Sequence, residues 1–177
     1  MNVLIRPSAA PDLEAITTIY GHYVRTSVAT FELVPPSMAE MERRHAALLD
    51  KGLPWLVAES AGKVAGYAYA GPHRTRPAYD WTLEDSIYVR ADCVGHGIGR
   101  ALLTALVDAC ASLGYRQMVA VIGGGPADNP GSAALHRACG FHEVGTMRAV
   151  GWKFGRWVDS LLMQRPLGPG AGEPVNR

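Results

Sequence analysis

Hydrophobic positions recur along this chain with two periods, and the switches between them divide it into elements. Leu13, Ile16, Ile19, Tyr20 and Tyr23 share one face of a helical repeat, and Pro11 just before them suits a first turn. Ser37-Met38-Ala39-Glu40 fits a capping box that opens a second helix, with Met38, Met41, His45, Leu48 and Leu49 roughly on one side and His45 as a structural or surface residue. Leu102, Leu103, Leu106, Val107, Cys110 and Leu113 predict a long helix that stops at Gly114. A short helix runs from Ser132 to Cys139 and closes at Gly140. Short apolar runs predict strands at Val3–Ile5, Trp55–Glu59, Lys63–Ala70, Trp81–Val89, Met118–Ile122, Phe141–Met147 and Asp159–Met163, and Ser60-Ala61-Gly62 joins the second and third as a hairpin.

Between these elements lie a loop from Thr26 to Pro36, a polar loop from Gly71 to Asp80, a flexible GGGPADNPG connection and the stretch Gly151 to Trp157. The resulting order, β-α-α-β-β-β-α-β-α-β-β, describes a mixed α/β (α+β) fold: a mostly antiparallel sheet flanked by helices. One domain spans residues 1–165, and the Pro/Gly-rich 166–177 reads as a disordered tail.

Composition then removes whole classes of function. At 177 residues the chain is large enough for one proper core. Its 17 basic side chains face 16 acidic ones with no basic run, which argues against nucleic acid. No apolar run approaches the ~18 residues of a membrane span, and MNVLIRPSAAPD has no signal-peptide core. Cys93, Cys110 and Cys139 lack C-x-x-C spacing, and the six histidines show no paired ligand spacing. They read as reduced thiols of a cytoplasmic protein with no metal site.

The chemistry concentrates between Trp81 and Leu113, where a strand, a glycine-rich turn and a helix follow one another. Gly95, Gly97 and Gly99 stand where the helix begins. Glycines let a backbone approach a ligand closely, and a helix start offers unpaired N–H groups and partial positive charge, a setting for phosphate or pyrophosphate. The third glycine comes too early for a Rossmann fingerprint, and no Gly-Lys-Ser/Thr follows for a Walker loop.

The turn instead resembles the Arg/Gln-x-x-Gly-x-Gly/Ala loop of the GNAT superfamily of acyl-CoA N-acyltransferases. Gly97 and Gly99 match, and Val94 stands where Arg or Gln is usual. The segments YGHYV, TFE, WLVAE, GYAYA, WTLEDSIYV, GHGIGRALL, GYRQMVAVIG, ALHRACGF and GWKFGRWVD, in this order, are similar to the phosphinothricin acetyltransferase group, which includes methionine sulfoximine and methionine sulfone acetyltransferases. The resemblance implies the GNAT fold, acetyl-CoA as co-substrate, a small amino-acid-like substrate and a homodimer. It places Ile87, Tyr88 and Val89 along the pantetheine arm, with the Val89 N–H at the thioester oxygen. It places Gly95, His96, Gly97, Ile98, Gly99 and Arg100 around the pyrophosphate, where Arg100 either contacts a phosphate or sits in a solvated first turn. Asn129 either meets the pantetheine arm or caps the next helix.

An α-amino group is largely protonated at neutral pH, so acetyl transfer needs a base within reach. Glu84 matches the group's active-site glutamate and acts as base or as substrate contact, while its neighbour Asp85 points to the opposite face. His136 takes the position of a tyrosine acid in many relatives, and either protonates the leaving thiolate or packs. Arg74, Thr75 and Arg76 match the substrate loop. There a guanidinium grips a carboxylate, or both arginines are simply solvated. Phe31 and Glu32 also stand as pocket residues, from this subunit or its neighbour, and Trp152, Phe154 and Trp157 as packing or dimer interface. Two other readings stay open. A polyamine enzyme would line its mouth with acids, against Arg74 and Arg76; peptide N-terminal acetylation is the other form of that alternative. A non-catalytic acetyl-CoA sensor would have no need of Glu84 and the arginines.

Overall fold

The computed structural model of the chain describes residues 3–175. Its strands are β1 (Val3–Pro7), β2 (Trp55–Ser60), β3 (Lys63–Pro72), β4 (Thr82–Val89), β5 (Gln117–Gly123), β6 (His142–Lys153) and β7 (Arg156–Pro166). The helices are α1 (Leu13–Thr26), α2 (Met38–Leu49), α3 (Ile98–Ser112), the single turn α4 (Gly125–Asp128) and α5 (Pro130–Ala138). All seven strands form one sheet in the order β1-β2-β3-β4-β5-β7-β6, and only the β4–β5 pair is parallel.

Alternation along the central strands sends apolar side chains to both faces of the sheet, and a helical layer covers each. Leu13, Ile16, Ile19 and Tyr20 of α1 and Met41 of α2 pack with Trp55, Val57 and Tyr67. On the other face, Leu102, Leu103, Leu106 and Cys110 of α3 pack with Leu56, Ala58, Ala65, Ala68 and Leu83. The helix starts are closed as their sequences suggest: Ser37 Oγ accepts from the Glu40 N–H at 3.2 Å. Before α1, Asp12 accepts from the Ala9 N–H at 2.8 Å and from both terminal nitrogens of Arg6 at 2.7 and 2.9 Å. His45 is structural; it is buried, 2.8 Å from Ser8 Oγ and edge-on to Trp55.

Three segments depart from the sequence reading. The GGGPADNPG connection is not loose: it contains α4, and α5 begins at Pro130 rather than Ser132. The last two strands are longer than the apolar runs suggested. They meet in a two-residue turn in which Phe154 and Gly155 both take positive φ, at 53° and 72°. Nearly all of β6 is exposed, so it shows no inward–outward alternation that a reading by periodicity detects. The segment after β7 starts out packed, with Leu167 buried and its N–H donated to the Arg116 carbonyl at 2.9 Å.

The irregular stretch after α1 is firmly placed. A Cβ on Gly123 would fall 2.1 Å from the Val28 carbonyl, and one on Gly151 would fall 2.7 Å from the Phe31 ring. Lys153 Nζ, buried, donates to the Thr30 carbonyl at 2.7 Å, and Tyr20 Oη donates to Glu32 at 2.8 Å. Glu32 also pairs with Arg44 at 2.6 Å. Glycines at 123 and 151 therefore let this loop lie against β5 and β6 and form one wall of the opening in the sheet. Among the described residues no helix is long and apolar enough to cross a membrane.

Candidate active site

The sheet opens at its only parallel pair. β4 and β5 are in register only from Thr82–Gln117 to Glu84–Val119; beyond that they part. The β3–β4 ladder shows which way the freed groups face. Arg90 N–H bonds the Ala65 carbonyl at 2.8 Å and His73 N–H bonds the Thr82 carbonyl at 3.3 Å. Hydrogen-bonded pairs alternate in an antiparallel ladder, so the main-chain groups of Asp85, Ile87 and Val89 turn away from β3 and toward the gap. The Val89 carbonyl takes a bond from Tyr23 Oη at 2.6 Å, and the Val89 N–H faces the opening.

The gap continues as a cleft of about 430 Å³. β4 contributes Asp85 to Val89, β5 contributes Ala120 to Ile122, and Tyr23 and Ala29 close one side. At its end lie Gly95, Gly97, Ile98, Gly99 and Arg100, and the α5 wall carries Asn129, Ser132, Leu135 and His136. Gly95 and Gly97 take positive φ, at 86° and 79°, with open space where a side chain would project. Gly97 precedes α3, whose first N–H groups lack helical partners and point out of its start. Gly99 serves packing instead, since a Cβ there would sit 3.1 Å from Leu135, and its absence lets α3 and α5 meet. Val94 is exposed on the cleft rim, and His96 is exposed outside the lining. The Asn129 side chain makes no cap bond to α5, which removes the capping alternative.

The two carboxylates of β4 divide between the faces of the sheet, as alternation requires. Glu84 lies on the α1–α2 face beside His73, with Nδ1 of the ring 3.3 Å from Oε2 and the carboxylate side chain 39% exposed. Burial raises the Glu84 pKa, partly offset by the hydrogen bond and charge of His73. Asp85 lies on the α3–α5 face, where Oδ2 is 3.0 Å from His136 Nε2 and both side chains are almost wholly buried. His136 Nδ1 is 2.8 Å from the Ser132 carbonyl. Both of its ring nitrogens are thus committed inward, and this arrangement leaves no N–H to offer a leaving thiolate. Burial alone opposes charge on that ring, yet the hydrogen bond and charge of Asp85, with the Ser132 carbonyl, raise its pKa.

Arg74, Thr75 and Arg76 are exposed on the loop between β3 and β4, and Arg74 rests over the Tyr79 ring at 5.4 Å. Neither arginine makes an ion pair among the described residues. Sequence reasoning missed the bonds of His73, Asp85 and Tyr23. Alternation did put Asp85 opposite Glu84, but a contact 51 residues away in the chain leaves no local trace. No group of three or more potential metal ligands gathers among the described residues.

The chain is similar to known acetyltransferases along nearly its whole length. A family model described as an acetyltransferase (GNAT) domain matches residues 5–162. A phosphinothricin N-acetyltransferase of Alcaligenes faecalis is 53% identical over 159 residues, covering 90% of this chain and 80% of the relative. An L-methionine sulfoximine/L-methionine sulfone acetyltransferase of Pseudomonas paraeruginosa is 39% identical, covering 98% of this chain and all of the relative. The crystal structure of a GNAT superfamily phosphinothricin acetyltransferase from Sinorhizobium meliloti, in complex with acetyl-CoA, superposes with a TM-score of 0.96. That chain is 48% identical, and the match covers 100% of this chain and 95% of that one. A sheet that opens beside a glycine-rich helix start and a sequence match over most of the chain agree: the chain belongs to the GNAT family of acetyltransferases.

Proposed function

We propose that this enzyme transfers the acetyl group of acetyl-CoA to the α-amino group of a small amino acid of the phosphinothricin, methionine sulfoximine or methionine sulfone type. The observation that carries the reading is the parting of β4 from β5 above the α3 start. The unpaired main-chain groups of Ile87 and the Val89 N–H suit a pantetheine arm, which would add to the sheet as a strand does. The N–H groups at Gly97 to Arg100 suit a pyrophosphate, and the Arg100 side chain adds positive charge there. Acetyl-CoA supplies the activated acyl group and a thiolate leaving group. The Val89 N–H suits the negative charge that gathers on the thioester oxygen during attack.

Glu84 fits the base. It is held by His73 on the face opposite the α5 wall, and its raised pKa favours taking a proton from an ammonium more than an ordinary carboxylate does. Arg74 and Arg76, free of internal carboxylates, suit the α-carboxylate of the substrate. The relatives' names supply the substrate class, and the arginines favour it over a polyamine.

A homodimer belongs to the same reading. β6 is an edge strand exposed along nearly all of its length, and Val144, Trp152, Phe154 and Trp157 are each more than half exposed. An apolar edge of this kind invites pairing with another chain. The three cysteines are free and buried, which suits a reducing cytoplasm.

Three experiments test these assignments. Glu84→Gln should lower kcat by about 10²–10⁴ and abolish the acidic limb of the rate profile, with acetyl-CoA affinity intact. In the parent enzyme that limb should lie above the ordinary glutamate value of about 4.3, since the proton must leave Glu84 before it acts. A higher KM at unchanged kcat would make Glu84 a substrate contact only. Arg74→Ala and Arg76→Ala should each weaken amino-acid binding by roughly tenfold to a hundredfold, the equivalent of about 1.5–3 kcal/mol, and spare acetyl-CoA. A substrate whose carboxylate is an amide should be poor for the parent and nearly indifferent to these changes; an equal fall would make the arginines structural. Trp157→Arg should convert the dimer to monomer in light scattering. A parent enzyme already monomeric at micromolar concentration would refute the β6 interface.

A further inference from the structure

The Asp85–His136 pair is not used by the transfer chemistry above, although it lies in the wall of the same cleft. Its hydrogen bonds point to its proton count. The Ser132 carbonyl only accepts and meets Nδ1 at 2.8 Å, well inside the 3.4 Å contact of the Ser132 hydroxyl with the same nitrogen, so Nδ1 carries a hydrogen toward the carbonyl. If that were the ring's one proton, the lone pair of Nε2 would face the Asp85 carboxylate across 3.0 Å with nothing between them. A second proton must therefore lie between the two groups, on the ring or on the carboxylate. The pair is net neutral in either arrangement, which is how two buried ionisable groups avoid the cost of an isolated charge.

The pair's place gives that proton a role. Asp85 is the first β4 residue past the last β4–β5 register pair, and His136 projects from α5, whose Asn129, Ser132 and Leu135 line the facing wall. The bond therefore ties β4 to α5 where the sheet ladder stops. The other oxygen of Asp85, Oδ1, is buried with no hydrogen-bond partner, so Oδ2–His136 is the only anchor of this side chain. Few other titratable groups surround it. From α3 the nearby thiol is Cys110, pushed up to about 12 by burial and by the Asp85 charge. On β4 the neighbour is Glu84, on the opposite face. β5 offers Ala120 and Ile122, and the Phe141 ring stands edge-on to the imidazole at 5.0 Å.

We propose that Asp85 is a positioning residue of the acetyl-CoA cleft: it keeps a second proton in the Asp85–His136 pair, and the protonated pair bolts the α5 wall to β4. The proposal rests on the cleft's being the acetyl-CoA site. The folded protein holds this proton more tightly than a free imidazole does. The bolt's contribution is therefore complete below the ordinary histidine value of about 6.5 and is lost as pH rises through the raised value. Loss of the proton turns an attractive contact into one between two lone pairs.

Asp85→Asn separates the proton from the packing, because the new amide donates to Nε2 of a neutral Nδ1–H ring and keeps the contact at every alkaline pH. Acetyl-CoA affinity by calorimetry and the His136 ring nitrogens by NMR are followed from about pH 6 to about pH 10. In the parent, the pair's resonances should report its extra proton above the ordinary histidine value, and affinity should fall about fivefold to tenfold as it is lost. In Asp85→Asn the ring should be the neutral Nδ1–H form at pH 7 and affinity flat. Cys93 and Tyr23, which also line the cleft, are retained in both proteins, so they cancel in the comparison. An alkaline decline in Asp85→Asn equal to the parent's, or a parent ring that titrates at the ordinary value, overturns the proposal. If Asp85→Asn does not fold, His136→Gln replaces it. Its amide also donates to the carboxylate, and the same flat profile is expected, with a parent-like decline as the contrary result. A parent that binds no acetyl-CoA at any pH refutes the cofactor reading instead, and the ring resonances still decide the pair.

Discussion

Backbone N–H and C=O groups must be paired, and the abrupt end of the β4–β5 ladder after Glu84–Val119 is the constraint on which the rest of this molecule depends. A parallel pair in the middle of an otherwise antiparallel sheet would ordinarily be covered on both faces and continuous. Here it parts, and the groups it frees on Asp85 and Ile87, with the Val89 N–H, are aimed into a cleft rather than into protein. The surrounding structure keeps the gap from closing. Tyr23 takes the Val89 carbonyl, the Val28–Phe31 loop is seated on Gly123 and Gly151, and Gly99 brings α3 close enough to α5 to wall the other side.

That arrangement separates two kinds of ionisable pair across one strand. Glu84 with His73 is partly open to solvent and stands by the arginine-bearing loop. Asp85 with His136 is sealed, so its proton is held. Successive residues of one strand thus stand in an open pair and a sealed pair respectively, because a pleated strand sends neighbours to opposite faces. By the same alternation, a carboxylate one position along would lie in the other layer.

Much of this was legible beforehand. The helix faces at Leu13–Tyr23 and Leu102–Cys110 and the glycine spacing at 95, 97 and 99 are local patterns set by burial and backbone geometry, and the structure reproduces them; Leu113, read onto the same face, lies just past the end of α3 and is exposed. The full length of β6 was not legible, because an edge strand exposed on both faces carries no period. Nor was α4, a single turn opened by glycines at 124 and 125, both with positive φ. Within the site, the positions of Glu84 and the loop followed from resemblance and alternation. The partners did not: His73 reaches Glu84 across neighbouring strands, and His136 on Asp85 and Tyr23 on Val89 are contacts between residues far apart in the chain, made by tertiary packing.

Hydrogen–deuterium exchange with and without saturating acetyl-CoA reads the freed backbone groups themselves. Slowed exchange is expected at the amides of Ile87 and Val89 and across Ile98 to Arg100, with no change in the β2–β3 core, which is already paired. Protection that leaves β4 and the α3 start untouched while acetyl-CoA is bound would contradict this, and would place the cofactor somewhere other than the opening in the sheet.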